Sequence, residues 1–314
     1  MKKPPLIQWY EKHGRHDLPW RNTTDPYPIY LSEIMLQQTQ VKTVLERFYF
    51  QFLQKFPTLE ALAKAQEDEV LKAWEGLGYY TRARNLHKTA QLTQGILPQT
   101  LEALEALPGI GPSTARAIAC FAFGLSVPIL DGNVKRILYR YFARTHANEK
   151  ELWALANQLF EADKNFAYEH NQALMDMGSF ICTRTQPKCR ECPLELSCLG
   201  KELAWMFPAK KAKKPKELRH RNLVIYTHKN KIALFQNEEN LLKGLYGFRQ
   251  YSDELDASYT FLGEIKHEYS HISLRAKVYT KEVELNSFKA WFDEEEVESL
   301  ALSKADHKAL ALLF

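Results

Sequence analysis

A chain of 314 residues, of which 45% are hydrophobic, is long enough to bury a substantial core, and its length favours two domains over one. The formal net charge of +4 permits a polyanionic partner without requiring one. No apolar run of signal-peptide length follows the N-terminus and none is long enough to cross a bilayer, which excludes secreted and membrane-spanning classes and predicts an intracellular, cytoplasmic protein.

Helical periodicity dominates the first half of the chain. From about residue 27 to residue 160, apolar side chains recur at intervals of three and four, and Pro28 suits a first helical turn. The predicted helices lie at about 27–38, 69–74, 101–106, 133–142 and 151–160, and another begins near Ser113.

The composition changes after residue 205. Residues 208–216 have the sequence PAKKAKKPK, a basic stretch bracketed by prolines that is typical of a linker. Beyond it, residues 222–227, 231–236 and 275–283 alternate like strands, whereas 293–300 and 304–313 have helical spacing. The sequence therefore predicts a helical region over 1–205, a basic linker over 206–221 and a smaller α+β domain over 222–314.

Four of the five cysteines lie within residues 182–198. Their spacing is Cys182-x6-Cys189-x2-Cys192-x5-Cys198, and the odd total without a signal peptide argues against a disulfide framework. Four thiolates in one short loop can hold an iron–sulfur cluster or a zinc ion. A structural zinc usually takes two short paired knuckles and only one is present, so the spacing favours the cluster. The fifth cysteine, Cys120, lies in an apolar helix and is expected to be a core residue.

A glycine-containing turn precedes the helix that begins near Ser113. Residues 107–115 have the sequence LPGIGPSTA, in which Gly109 and Gly111 let a ligand approach the backbone. The following helix start offers free N–H groups and a positive dipole end, so the turn could hold a phosphate without reading DNA sequence. The alternative is an ordinary corner between two helices that needs glycine for steric reasons.

Asp131 follows an apolar stretch and precedes a helix. That position predicts an N-cap, and N-capping donors would keep the carboxylate ionised. An ionised carboxylate at the mouth of a pocket is suited to facing an oxocarbenium-like sugar. Asn133 could hold Asp131 in orientation or could simply cap the turn.

Glu33, Gln37 and Gln40 share one helix face opposite the apolar stripe. A solvated polar face is the ordinary interpretation of such a pattern. However, the neighbouring amides carry no charge and no lysine balances Glu33, which is less typical of a solvent face. Amides such as Gln37 are what a surface that reads bases needs.

Several motifs together resemble a known family. The glycine turn, the downstream aspartate and the cysteine loop resemble the helix-hairpin-helix glycosylases of the endonuclease III superfamily. Within it, LQQTQV at 36–41, GLGYYTRARNL at 76–86 and LDGNVKR at 130–136 resemble the MutY-type adenine DNA glycosylases. The resemblance implies a mainly α catalytic region with one [4Fe–4S] cluster in the 182–198 loop, and a Nudix-like C-terminal domain.

The resemblance also implies the roles of individual residues. Glu33 would be the general acid that protonates adenine at N7, and Asp131 would stabilise the sugar cation. Trp20 and Arg21 would line the adenine pocket. Bifunctional relatives carry a lysine at the position of Ser113, and serine cannot form their Schiff base, so a monofunctional enzyme is expected.

Further residues would contact the DNA outside the adenine pocket. Gln38 and Tyr79 would enter the base stack and offset the cost of flipping. Arg184 and Lys188, in the loop between the first two cluster cysteines, would hold phosphates, although plain surface charge is an equal alternative. The partner implied is duplex DNA containing adenine opposite 8-oxoguanine or G, bound by a monomer.

The C-terminal segment HEYSH at 267–271 resembles the loop with which the family checks for 8-oxoguanine. Tyr269 stands where phenylalanine is usual and would leave a stacking ring, and Ser270 and His271 would complete the loop. Arg249 stands where proline is common. No glutamate-rich Nudix box is present in the sequence, so pyrophosphohydrolase activity is not expected.

Two other functions fit parts of the sequence. One is an endonuclease III-like glycosylase for oxidised pyrimidines, against which Ser113 and the C-terminal domain argue. The other is a non-catalytic DNA-binding module that uses the same glycine turn.

Overall fold

The computed structural model describes residues 3–209, 215–239 and 241–314. The α-helices within them are α1 (Pro5–His13), α2 (Pro26–Leu36), α3 (Val41–Arg47), α4 (Tyr49–Lys55), α5 (Leu59–Lys64), α6 (Glu67–Ala73), α7 (Thr81–Leu92), α8 (Leu101–Glu105), α9 (Pro112–Phe123), α10 (Gly132–Tyr141), α11 (Glu149–Phe160), α12 (Ala167–Phe180), α13 (Glu294–Ser299) and α14 (Lys304–Leu310). Short 3-10 helices cover Pro19–Arg21, Glu161–Phe166, Cys189–Glu191, Glu195–Ser197, Lys201–Met206 and Leu285–Ser287.

The described strands are confined to the C-terminal third of the chain. They are β1 (Glu217–His228), β2 (Lys231–Ala233), β3 (Phe235–Gln236), β4 (Tyr246–Gly247), β5 (Arg249–Tyr251), β6 (Thr260–Glu268), β7 (Ile272–Glu282) and β8 (Trp291–Phe292). The predicted fold class, a mainly helical region followed by a smaller α+β domain, is confirmed.

Local capping sets the helix that carries Glu33. Helix α2 begins at Pro26, one residue before the predicted start, because the Asp25 side chain accepts a hydrogen bond from the Tyr27 N–H at 3.0 Å. It ends at Leu36 rather than at Gln38, whose φ of +61° is incompatible with a right-handed helix.

The chain divides into two compact units, and neither is continuous in sequence. The first comprises the described residues of Met1–Gln38 and Ile96–Ala212, and the second those of Thr39–Gly95 and Lys213–Phe314. The five helices α3 to α7 therefore group with the C-terminal segment. None of the described helices has the length and apolar character that crossing a membrane requires.

The first unit is built around α12. Helices α1 and α10 pack on α12, and α2 packs on α9. Part of its core lies between α10, α11 and α12 and comprises Leu6, Tyr10, Leu130, Val134, Ile137, Leu138, Leu152, Ala156, Leu159, Ala173, Leu174, Met177 and Ile181. These side chains are the apolar stripes of amphipathic helices, so their burial fixes which helix faces remain for the site.

The second unit combines helices α3 to α7 with a mixed sheet. The strand order is β6-β7-β1-β2-β8, and β5 also pairs with β1. Strands β1 and β7 are parallel and the other pairs in this sheet are antiparallel. One face of the sheet is covered by α13 and α14 through Val297, Ala305 and Ala309.

The sheet corrects two predictions. Strand β1 begins at Glu217, inside the stretch predicted as a linker over 206–221, because residues 217–221 pair with 272–276 of β7. Of the other residues of the predicted linker, 210–214 lie outside the described residues. Strand β6 was not predicted because its sequence, TFLGEIKHE, has many exposed polar positions and the buried-residue alternation is weak.

Candidate active site

Glu33 lies on α2 in the first unit and is partly buried. Burial is the main effect that raises the pKa of its carboxyl, to about 7, and the negative charge of Asp131 raises it further. The positive charge of Arg21 opposes both. Near neutral pH this carboxyl is therefore poised between its protonated and ionised forms, as a general acid must be.

Asp131 is the N-cap of α10, as predicted. Its Oδ1 accepts a hydrogen bond from the Val134 N–H at 2.7 Å. Burial nevertheless raises the pKa of this carboxyl, against the lowering effect of the Val134 and Asn133 N–H groups and of Arg136. The expectation that capping donors alone would hold the pKa low is therefore too simple. Asp131 therefore differs from Glu33 in having backbone donors that favour its charged form.

Arg21 is held by a carboxylate that the sequence did not single out. Its Nη1 and Nη2 donate to Asp176 Oδ2 and Oδ1 at 2.7 and 2.8 Å. Arg15 donates three more hydrogen bonds to Asp176, from its backbone N–H, Nε and Nη2. The Asp176 side chain is fully buried on α12. Trp20 is buried beside Arg21 in the 3-10 helix Pro19–Arg21.

A hydrogen-bonded path joins the start of α10 to the cysteine loop. Asn133 Oδ1 accepts from Arg136 Nη2 at 2.9 Å, and Arg136 Nε donates to the Cys182 carbonyl at 2.8 Å. Arg136 Nη2 also donates to the Gly178 carbonyl at 2.6 Å. A Cβ on Gly178 would lie 2.6 Å from the Asn133 Cβ, so glycine permits this approach of α12 to α10. The backbone N–H of Asn133 therefore donates to Asp131, and the Asn133 side chain accepts from Arg136.

The cysteine loop surrounds a buried cation. Arg140 is 3% exposed, and its guanidinium donates to the carbonyls of Cys182, Thr183, Arg184, Ala204 and Phe207. It also lies 3.3 Å from Cys182 Sγ. Among the described residues no carboxylate pairs with it. Burial, followed by interaction with Cys182, raises the pKa of the Cys189, Cys192 and Cys198 thiols.

This donor set fits an anionic thiolate cluster. A buried guanidinium without a carboxylate favours negative charge nearby, which four thiolates would supply if they held a cluster. Within residues 3–209, 215–239 and 241–314, no three His, Cys, Asp or Glu side chains are placed to hold a single metal ion.

The glycine turn exposes its backbone. Gly109 has a φ of +75°, which favours glycine on conformational grounds. Gly111 is the N-cap of α9 with φ −86°, and a Cβ built there would meet no atom within 4 Å. Neither sterics nor backbone angle within the protein requires glycine at 111. Ser113 lies in the first turn of α9, and Gln37 Nε2 donates to Thr114 Oγ1 at 3.3 Å.

The remaining predicted DNA contacts are surface residues. Gln38 and Tyr79 are exposed and have φ values of +61° and +52°, rare for residues other than glycine. Gln38 belongs to the first unit and Tyr79 to the second. Arg184 is exposed, and Lys188 is exposed with Glu191 at 4.0 Å.

The turn between β6 and β7 carries the predicted recognition loop in the second unit. The Tyr269 N–H donates to the Ile272 carbonyl at 2.8 Å and closes the turn. The Tyr269 ring is half-buried against the core of its own domain, and its hydroxyl interacts with Ser303. Ser270 and His271 are exposed.

Sequence reasoning missed Asp176, Arg136 and Arg140. Each is a charged residue on a helix whose neighbours are largely buried and apolar. A charge on an apolar helix face is the signal that could have identified them, because such a residue needs a buried partner.

Comparisons with known proteins find similar sequences and structures. The family model described as HhH-GPD superfamily base excision DNA repair protein matches residues 31–162. The chain is 37% identical to the adenine DNA glycosylase of Buchnera aphidicola subsp. Baizongia pistaciae (strain Bp), over 86% of this chain and 82% of that protein. It is 34% identical to the adenine DNA glycosylase of Buchnera aphidicola subsp. Acyrthosiphon pisum (strain APS), over 97% and 95%. A solved thermostable thymine-DNA glycosylase matches with a TM-score of 0.58 and 31% identity, over 63% of this chain and 94% of that one.

Proposed function

Because the chain belongs to the adenine DNA glycosylases of the HhH-GPD superfamily, we propose that it hydrolyses the glycosidic bond of adenine opposite 8-oxoguanine or G in duplex DNA. The observation that carries the proposal is the pair of carboxyls in different environments. Burial raises the pKa of both carboxyls, that of Glu33 to about 7, but Asp131 also accepts backbone N–H groups as the N-cap of α10. Two carboxyls with separated tasks are the pattern of glycoside hydrolysis.

Each carboxyl has one role in the proposed reaction. Glu33 donates its proton to N7 of adenine, and the electron pair of the glycosidic bond leaves with the base. Asp131, ionised, faces the positive charge that develops on the sugar. Water then adds its oxygen to the sugar carbon, and its proton returns to Glu33. Asn133 keeps Asp131 in place through its N–H and through the Arg136 contact.

Ser113 determines the product in this proposal. Its hydroxyl cannot form a Schiff base with the abasic sugar, so no lysine-linked strand break follows at this position. The expected product is free adenine and an intact strand with an abasic site.

The exposed turn and its neighbours support DNA binding. Gly111 leaves open space at the start of α9, where free N–H groups and the helix dipole favour a phosphate. Arg184 and Lys188 supply positive charge on the cysteine loop. Gln38 and Tyr79 hold costly positive φ values at exposed positions, and such strain concentrates at functional sites.

Recognition of the opposite base is assigned to the β6–β7 turn. Ser270 and His271 are the exposed side chains that could hydrogen-bond an oxidised guanine. Tyr269, being packed inward, would hold the turn in shape unless it rotates on binding.

Cys182, Cys189, Cys192 and Cys198 would hold one [4Fe–4S] cluster. When bound, the cluster supplies a rigid cross-link of the loop, and no step of base removal uses it. Arg140 and Arg136 fix the loop through its carbonyls.

Single-turnover excision tests the function. Duplexes with A opposite 8-oxoguanine, G or C, and one with thymine glycol, are incubated with excess protein, and released base is measured. We expect adenine release, fastest opposite 8-oxoguanine, with no borohydride-trapped adduct. Release from thymine glycol without adenine release would instead support an endonuclease III-like enzyme.

The non-catalytic alternative is tested with variants of the two carboxyls. Glu33→Gln and Asp131→Asn should bind the A opposite 8-oxoguanine duplex and fail to excise. Wild-type protein that binds all four duplexes and excises none would establish the binding module.

A further inference from the structure

We propose that Asp176 is a positioning residue that neutralises Arg21 and thereby lets Glu33 keep its proton. The inference rests on the proposed function, since it assigns a means of control to the same general acid. Asp176 contacts neither Glu33 nor Asp131 in the described hydrogen bonds, so it acts through Arg21.

Asp176 is the carboxylate that binds both Arg21 and Arg15. Its two oxygens accept five hydrogen bonds, two from Arg21 and three from Arg15, at 2.6–2.8 Å. Arg21 is held by both Nη atoms, and its side chain is only 4% exposed. A bidentate pair of this kind fixes both the position and the charge of the guanidinium.

Arg21 needs this neutralisation because it acts on Glu33. A cation favours the ionised form of a carboxyl, and Arg21 is the group that lowers the pKa of Glu33 against burial and Asp131. If the carboxylate of Asp176 did not offset the charge of Arg21, Glu33 would lose its proton at lower pH. Asp176 limits that effect while leaving Arg21 where it is.

The other titratable groups around Arg21 cannot replace Asp176. Burial raises the pKa of Tyr10 on α1 to about 12 and raises that of Tyr168 on α12, so both phenols are neutral near pH 7. Glu169 acts on these two phenols. Asp131 faces Glu33 itself and raises its pKa. Asp176, whose own pKa is lowered by the Arg21 hydrogen bonds despite burial, stays ionised.

Arg15 provides a contrast that a purely structural role would not produce. Removing the Asp176 charge leaves Arg21 uncompensated, whereas removing Arg15 takes away a cation from the same cluster. Asp176→Asn disturbs five hydrogen bonds and Arg15→Gln the two that the Arg15 side chain donates, but the two changes alter the local charge in opposite directions. Their effects on Glu33 should therefore have opposite signs.

The experiment compares Asp176→Asn, Arg15→Gln and the double variant Asp176→Asn/Arg21→Gln in the full chain. Single-turnover adenine release from the A opposite 8-oxoguanine duplex is followed from pH 5 to pH 9. The rate of wild type should fall above pH 7 as Glu33 ionises. In Asp176→Asn the midpoint should move down by about one pH unit, so that the loss of rate at pH 8 exceeds that at pH 5.5 by about tenfold. In Arg15→Gln it should rise, and in the double variant it should return towards wild type.

A second readout is independent of activity. With glutamate labelled by ¹³C at its carboxyl, the resonance absent from Glu33→Gln reports the titration of Glu33 in the free protein, and it should shift downward in Asp176→Asn. An unshifted midpoint in both readouts, or a downward shift in Arg15→Gln, would overturn the inference. If wild type releases no adenine, the proposed function fails and the resonance still tests this inference. If Asp176→Asn does not fold, the sign of the Arg15→Gln shift decides.

Discussion

Two arginines are buried in the first unit, and their surroundings differ in kind. Arg21, in the candidate site, is paired with the carboxylate of Asp176. Arg140, inside the cysteine loop, donates to five carbonyls and lies against the Cys182 sulfur. In the candidate site a carboxylate offsets the charge of the arginine. In the cysteine loop, among the described residues, no carboxylate does so.

The difference shows how one residue type serves two tasks. A paired guanidinium orients its neighbours with little long-range field, whereas one bound only by carbonyls keeps its positive charge. In the proposed reaction the candidate site needs the former, because an unpaired cation would favour the ionised form of Glu33. A cluster in the cysteine loop would need the latter, because four thiolates would repel one another.

The largest effect is expected from Glu33→Gln. Without an acid the leaving base is not protonated, and the single-turnover rate at pH 7 should fall by about 100- to 10,000-fold. Glu102→Gln, an exposed change on α8, is the control and should retain wild-type rate. Near-normal excision by Glu33→Gln would show that Glu33 is not the general acid, and Asp176 would then have no acid to protect from the charge of Arg21.

Arg140→Leu tests the other side of the comparison. The carbonyls it binds would lose their donor inside the protein, so the free energy of unfolding should drop by about 3 kcal/mol, and iron per chain should fall. Urea denaturation and iron analysis measure the two effects. Arg144→Ala, an exposed change just after α10, should alter neither. Unchanged iron content in Arg140→Leu would show that the thiolates do not depend on this charge.

Glu33→Gln should also change stability in a pH-dependent way. The pKa of Glu33 in the folded protein, about 7, lies above its ordinary value of 4.5. The protonated Glu33 therefore contributes fully to the free energy of unfolding below pH 4.5, and this contribution is lost as the pH rises through 7. The amide does not titrate. The stability of the variant relative to wild type should thus increase from pH 5 to pH 8, by about 2 kcal/mol. Thermal unfolding at both pH values measures it, and a constant difference would contradict the raised pKa.

The smallest effect concerns the outer surface of the cysteine loop. Arg184→Ala and Lys188→Ala should each lower the slope of log affinity against log salt concentration by about 1, without loss of iron. Binding titrations at several salt concentrations measure the slope. Lys150→Ala, an exposed change on α11, is the control. An unaltered slope would show that neither residue contacts a phosphate and that both are ordinary surface charges.

Sequence alone predicted the features that depend on local order. The α10 cap at Asp131, the glycine turn and the four-cysteine spacing all lie within short segments, and the resemblance to adenine DNA glycosylases is confirmed by the full-length relatives. The assignments of individual residues to catalysis and DNA binding remain predictions.

Contacts between distant segments could not be predicted in the same way. Arg21 and Asp176 are 155 residues apart, and periodicity within either helix does not indicate the other. The inward packing of Tyr269 depends on Ser303, a residue of a different element. The membership of α3 to α7 in the second unit has the same origin, because it depends on contacts with segments made far later in the chain.

That membership has a consequence for the order in which the protein folds during synthesis. Within the second unit, Lys72 Nζ donates to the Leu300 carbonyl at 3.0 Å and Glu75 pairs with His307 at 2.7 Å, across 228 and 232 residues of chain. At about 5–20 residues per second, a ribosome needs on the order of ten seconds or more to make that length. Helices α3 to α7 leave the ribosome early, and their contacts with the C-terminal segment form only after that interval, during which the surface that they later bury is open to chaperones and proteases.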